Sequence, residues 1–187
     1  TGKVFTQVAR SGERVSGLRS GFTRLDAMTA GMHPGDLIII AGRPGMGKTS
    51  FALNVALNAC RMRKASAVVF SLEMPKEQLA SRLLCSEAKV DAGKLRTGHL
   101  SRDDWPKLTT AAGTLSDLQM YLDDTPGLSL MELRAKTRRL KAEHDLGLIV
   151  IDYLQLMRAG VKTDSREQEI SEISRSLKGM AKELGLP

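Results

Sequence analysis

The run Gly42-Arg43-Pro44-Gly45-Met46-Gly47-Lys48-Thr49 constrains this chain more than any other stretch, because it satisfies the pattern G-x-x-x-x-G-K-[ST] at every fixed position. The apolar run before it, Leu37-Ile38-Ile39-Ile40-Ala41, predicts a buried strand. The residues after it, Thr49 to about Met62, predict a helix with Phe51, Val55 and Met62 on one side. Strand, glycine-rich turn and helix, in that order, is the context in which the pattern works as a phosphate-binding loop. Glycines let the backbone curl until successive N–H groups point inward at phosphate oxygens. The positive end of the helix dipole adds to the pull on an anion. Lys48 supplies a mobile positive charge for the outer phosphates, and the Thr49 hydroxyl can ligate magnesium. The competing explanation is a chance match in a glycine-rich turn, which the complete pattern and its flanks disfavour.

The rest of the chain has to build around that unit. Its 187 residues suit one domain with a sizeable core, and residues 1–20 read as a polar linker or the tail of an upstream region ahead of a domain over 21–187. The net charge of +7 favours polyanionic partners without locating a site. Aromatic residues make up only 4%, which argues against a nucleic-acid site built mainly on base stacking. Cys60 and Cys85 lack nearby Cys or His partners and read as small buried hydrophobes in a reducing compartment. No metal cluster, signal peptide or membrane-length apolar run is visible, so a cytoplasmic location without membrane contact is expected.

Strand and helix signals alternate along the sequence. Phe22, Leu25 and Met28 predict a short helix before Gly31. Ala67–Leu72 reads as a second strand ending at Glu73, and Pro75 can open the helix carrying Leu79, Leu83 and Leu84. Ser101 to Asp104 resembles a capping box ahead of Trp105, Leu108, Ala112 and Leu115. Gln119–Leu122 reads as a third strand ending in Asp123. Ser129 with Glu132 caps a helix through about His144, with Leu130, Leu133 and Leu140 inward. Leu148–Ile151, apolar without alternation, reads as a central parallel strand ending at Asp152. Ser165 with Gln168 caps a last helix whose stripe is Ile170, Ile173, Leu177, Met180 and Leu184. Such alternation predicts an α/β fold, a mostly parallel sheet with helices on both faces. Ligands of these sheets bind beyond the carboxyl ends of the strands. The phosphate loop, Glu73, Asp123 and Asp152 all fall there.

Asp152, after four aliphatic residues, fits a carboxylate that holds magnesium beside Thr49; the plain alternative is a solvated strand end. Glu73 has two readings. It can face the terminal phosphate and take a proton from the attacking water, or it can simply stabilise a helix start.

Several segments together resemble the C-terminal ATPase domain of DnaB-type replicative helicases. They are Gly21-Phe22-Thr23-Arg24-Leu25-Asp26, Pro34-Gly35-Asp36-Leu37, the phosphate loop, and Ser71-Leu72-Glu73-Met74. Ile151-Asp152-Tyr153-Leu154-Gln155-Leu156, Arg166-Glu167-Gln168-Glu169-Ile170 and Ser174-Arg175-Ser176-Leu177-Lys178 complete the set. The resemblance runs from about Val15 onward. It implies a RecA-like P-loop NTPase core, a hexameric ring of identical subunits, and ATP with Mg2+ bound between neighbours. By position it implies nucleotide contacts from Gly42, Arg43, Pro44, Gly45, Met46, Gly47, Lys48, Thr49 and Ser50. It makes Glu73 the catalytic base and Thr49 and Asp152 the magnesium-side groups. It implies single-stranded DNA in the ring channel, unwinding with 5′-to-3′ polarity, and a primase and a helicase loader as partners of the full-length protein. The channel-facing loop would be Arg158 to Arg166, with Arg158, Lys162 and Arg166 as candidate phosphate contacts.

The basic run Arg134, Lys136, Arg138, Arg139 and Lys141 fits a solvated helix face or subunit contact better than a DNA site. Family members also carry an N-terminal collar domain, and a sensor glutamine, a second DNA loop and an arginine finger beyond the position of Pro187. This stretch is therefore expected to bind nucleotide, hydrolyse it poorly and unwind nothing alone. Two other functions fit less well: a RecA-like ring-assembly or loader module without unwinding, and a small-molecule phosphotransferase, for which no arginine-rich acceptor lid is found.

Overall fold

In the computed structural model, which describes residues 15–63, 66–157 and 165–187, three parallel strands lie in the order β2–β1–β3. They are β1 (Ser66–Ser71), β2 (Met120–Asp123) and β3 (Leu146–Asp152). Every residue of β1 is buried, because the strand is flanked on both edges and covered on both faces. Around the sheet come α1 (Thr23–Thr29), α2 (Lys48–Arg63), α3 (Lys76–Ala88), α4 (Ala92–Thr97), α5 (Asp104–Ser116), α6 (Leu130–Glu143) and α7 (Arg166–Leu184).

The two-residue period of β1 sorts the core. Ala67 and Val69 point to one face and pack with Leu53, Leu57 and Cys60 of α2 and Leu79 and Leu83 of α3. Val68 and Phe70 point to the other face and pack with Leu133 of α6 and Ile173, Leu177, Met180 and Leu184 of α7. Phe70 and Leu133 are both 0% exposed, and each contributes about 1.5–3 kcal/mol by burial. The helices on both faces of a parallel sheet are those the alternation predicts. A satellite core of Ala88, Val90, Leu108 and Ala111 joins α3 to α5.

Caps explain several helix starts. At α6 both halves of the capping box form: Ser129 Oγ accepts from the Glu132 amide and the Glu132 carboxylate accepts from the Ser129 amide. Ser165 Oγ accepts from the Gln168 amide at α7. Helix α3 follows Pro75, which offers no side-chain cap, and the Lys76 amide instead donates to Asp124 just beyond β2, at 3.1 Å.

Some expectations are corrected. Leu37–Ala41 is not a strand here. It joins no ladder among the described residues, and Ile38, Ile39 and Ile40 are 49%, 68% and 45% exposed. The reason lies at the outer edge of β3, where the Ile149 amide donates to the Pro187 carbonyl at 3.1 Å. The Gly35 amide in turn donates to the Leu186 carbonyl at 3.2 Å. Leu186 and Pro187 therefore stand between β3 and the start of the isoleucine run. In α5, Trp105 and Ala112 face solvent, because the helix packs through the narrow stripe of Leu108, Ala111 and Leu115. Met62 is likewise exposed in α2. Helix α4 has no apolar periodicity to announce it, although Asp91 caps it through the Lys94 amide and Gly98 ends it in the left-handed region. Within the stretch expected as a tail, Leu18 is buried and bridged antiparallel to Met32. Both cysteines are buried, and burial pushes their thiol pKa values up. No helix among the described residues is long and apolar enough to cross a membrane.

Candidate nucleotide-phosphate site

Gly45 and Gly47 adopt φ of +77° and +85°, which a side chain would strain, so the loop curls at one position the pattern fixes as glycine, Gly47, and at one it leaves open, Gly45. Helix α2 starts at Lys48 with no acidic residue in its first turn, which leaves its positive end uncompensated. Lys48 Nζ folds back on its own loop, donating to the Gly42 carbonyl at 2.9 Å and the Arg43 carbonyl at 3.3 Å. These are weak anchors for a cation, and an anion in the loop would compete for all three of its donors. Residues 41–47 and Ser50 are exposed, so the cradle is open to ligand.

The other side of the site hangs from the sheet. Ser71 at the end of β1 pairs in register with Asp152 at the end of β3. The Leu72 amide donates to the Asp152 carbonyl at 2.7 Å, which locks the two strand ends together. Ser71 Oγ then shapes the turn that presents Glu73, donating to the Met74 carbonyl at 2.7 Å and accepting from the Met74 amide at 3.2 Å. Glu73 itself is exposed. Asp152 is 8% exposed, and its carboxylate accepts a 2.6 Å bond from Thr49 Oγ1. That contact joins residues 103 apart in sequence and brings the phosphate loop and the β3 carboxylate into one constellation.

Asp123, the third strand-end carboxylate, is drawn elsewhere. Lys136 Nζ donates to it at 2.6 Å, and the Thr125 amide donates at 3.0 Å. Burial pushes its pKa up, but Lys136 and Thr125 outweigh that and hold the carboxyl below the usual range. Asp123 thus anchors α6 to the sheet.

Lys136 is one of five cations in the basic run, and the other four also have partners within the chain. Arg134 and Arg138 meet Glu183, Arg139 meets Glu143, and Lys141 donates to the Leu184 carbonyl. Of the loop expected to face a polyanion, Arg158 and Lys162 lie outside the described residues. Arg166 is described, and its guanidinium donates to the Gln155 carbonyl and the Glu169 carboxylate. Among the described residues no group of three or more His, Cys, Asp or Glu side chains could hold a metal by itself.

Three residues to which the sequence patterns gave no individual role organise the site's surroundings. Asp26, 5% exposed, accepts from the Ser20 amide, the Ser20 hydroxyl and the Gly21 amide, fixing the chain before α1. Asp124 caps α3 below Glu73. Lys178 of α7 donates to the Gly35 carbonyl at 2.7 Å, in the turn that feeds the phosphate loop. Only Asp26 had a local signal, six residues beyond Ser20 in a turn-rich stretch.

Comparison with known proteins bears on the whole arrangement. The profile of the DnaB-like helicase C terminal domain matches residues 17–187. Replicative DNA helicase DnaC of Bacillus subtilis is 54% identical over 174 residues, covering 92% of this chain and 38% of that protein. Replicative DNA helicase DnaB of Geobacillus stearothermophilus is 52% identical, covering 95% of this chain and 39% of that protein. The chain therefore spans well under half the length of these relatives. Among solved structures, an ATPase domain superposes with a TM-score of 0.92 at 36% identity, over 98% of this chain and 66% of that one. A DnaB-like replicative helicase, studied with its primase interactions, superposes with a TM-score of 0.91 at 36% identity, over 98% of this chain and 45% of that one.

Proposed function

This chain belongs to the DnaB-like helicase C-terminal domain family, and from that premise we propose that it forms most of the ATP-hydrolysing motor of a hexameric replicative DNA helicase. In this reading the ring moves 5′ to 3′ along single-stranded DNA and unwinds duplex. The observation that carries the reading is the 2.6 Å bond between Thr49 of the phosphate loop and Asp152 at the end of β3. A loop alone binds phosphate; a loop joined to a buried carboxylate can also manage the charge that develops when phosphate is transferred.

The groups present fit ATP with magnesium. Thr49 and Asp152 offer hard oxygen donors and too few of them to enclose an ion, which suits a cation that keeps waters and takes phosphate oxygens. Bound there, magnesium neutralises phosphate charge. Lys48 exchanges the Gly42 and Arg43 carbonyls for the outer phosphate oxygens. The carboxylate of Glu73 accepts a proton from water as the water oxygen bonds to the terminal phosphorus and the bond to the ADP oxygen breaks. Ser50 and the loop amides steady the phosphates during that exchange.

The proposal extends to partners. The segment Arg158–Arg166 faces DNA in the channel, with Arg158 and Lys162 as phosphate contacts; the guanidinium of Arg166 is engaged within the chain, which favours a structural tie over a DNA contact. Similarity to a helicase studied with its primase supports a primase partner for the full-length protein, and a loader follows from the need to open a ring on DNA. The cytoplasm is the expected place of work.

The test is ATP turnover by the full-length protein with and without single-stranded DNA. Stimulation by DNA is expected, and Glu73→Gln should lower turnover by about 10²–10⁴-fold while leaving nucleotide affinity intact. Near-normal turnover in that variant removes Glu73 from the base role. Turnover indifferent to DNA favours a ring-assembly module instead.

A further inference from the structure

Helix α7 is tied to the chain that flanks each half of the candidate site. At its first residue, Arg166 donates to the carbonyl of Gln155, three residues beyond Asp152 in a short 3-10 turn, and is steadied by Glu169. Farther along, Lys178 Nζ donates to the Gly35 carbonyl at 2.7 Å, seven residues before the loop's first glycine. The same turn receives a second bond, from the Gly35 amide to the Leu186 carbonyl at 3.2 Å. A Cβ placed on Gly35 would lie 3.5 Å from the Lys182 Cα, so the turn packs directly on the helix. The two side-chain ties are twelve residues apart, about 18 Å along the axis. Between and beyond them Ile173, Leu177, Met180 and Leu184 are buried in the core, so the helix cannot shift without disturbing it.

Both bonds end on main-chain carbonyls outside the sheet ladder. Among the described residues the run leading to the phosphate loop pairs with no strand, and the turn at its foot is tied to Lys178 of α7 and to the Leu186 carbonyl just past the helix. We propose that α7 is a strut, and that Arg166 and Lys178 are positioning residues that set the phosphate loop against Asp152. This rests on the nucleotide reading above and deepens it. The Thr49–Asp152 contact spans the gap that the strut defines, so loosening either tie misaligns the groups that act on the terminal phosphate.

Arg166→Ala and Lys178→Met, made in the full-length protein, test this. Each is expected to leave nucleotide affinity within about 3-fold of wild type and to lower kcat about 10-fold, since small misplacements are costly in turnover. Lys178→Arg, which can still reach the Gly35 carbonyl, should recover most of the loss. Arg166→Ala should leave the slope of log DNA affinity against log salt unchanged. A slope shallower by about 0.7 would assign Arg166 to a DNA phosphate and overturn its place in the strut. Normal kcat in both variants, with or without a lower Tm, would reduce the ties to ordinary structural contacts and overturn the proposal. If Lys178→Met does not fold, Glu169→Gln loosens Arg166 without touching the core, and the same fall in kcat is required of it. A wild-type protein that binds no nucleotide overturns the nucleotide reading itself, before any variant is compared.

Discussion

Asp152 ends a seven-residue strand paired with β1, whereas the phosphate loop is fed by an unladdered run whose isoleucines face solvent. The first half of the site is held by a hydrogen-bond ladder and a two-sided core. The second is held at its ends, by α2 after the loop and by the Gly35 turn before it. Precision on the carboxylate side is a property of the sheet. Precision on the loop side is a property of a few polar ties, so the two should respond very differently to substitution.

The largest contrast is in stability. Phe70→Ala, in the middle of the sheet, should cost about 3–5 kcal/mol in urea unfolding, because the ring is fully enclosed and its removal leaves a cavity in the core. A loss under about 1 kcal/mol would mean that the sheet is not the rigid half. Lys48→Ala should do the reverse. Its ammonium donates to carbonyls of its own loop, so stability should hold, while ATP affinity falls about 10–150-fold with the loss of a charged hydrogen bond. Unchanged affinity would break the loop assignment.

A smaller effect concerns the pair that ties α6 to β2. The folded-state pKa of Asp123 is lowered, so the pair's stabilisation is present above the ordinary carboxylate value and is lost as pH falls through the folded one. Lys136→Met should cost about 1 kcal/mol at neutral pH, discounted because Lys136 is partly solvated. The deficit should shrink below about pH 4; a deficit constant with pH would place the cost in packing and not in charge. The smallest effect belongs to the unladdered run. Ile39→Thr should change the stability of this chain by less than about 0.5 kcal/mol, as for other exposed positions. A loss of several kcal/mol would show that the run is as well packed as β1.

Much of this was readable from residues alone because the signals are local. The glycines and lysine of the loop, the Ser129–Glu132 box and the stripe of α7 each act within a turn or two of chain. Asp152 and Glu73 stand out as candidates because strand ends in a parallel sheet converge. Helix α4 is not legible in the sequence because six residues with one cap and no apolar face leave no periodic trace. The exposure of Trp105 was hidden because spacing gives a helix its phase but not the width of the surface it meets. The strand expected at 37–41 failed for a related reason. Apolar, β-branched residues announce a preference for a ladder, but a ladder needs a free edge at the right height, and here Leu186 and Pro187 stand beside β3.

By itself, then, the sequence determined where the phosphate-loop pattern and several helix starts lie, and that strands and helices alternate around a parallel sheet. These follow from backbone sterics, capping and periodicity, all of short range. Only the tertiary structure decided that Thr49 meets Asp152, that Asp123 serves Lys136, and that Arg166 and Lys178 turn a core helix into a link between the two halves of the site. Those contacts join residues 11 to 143 apart in the chain. They exist because packing brings particular carbonyls and carboxylates within about 3 Å of a donor, a distance that no local pattern encodes.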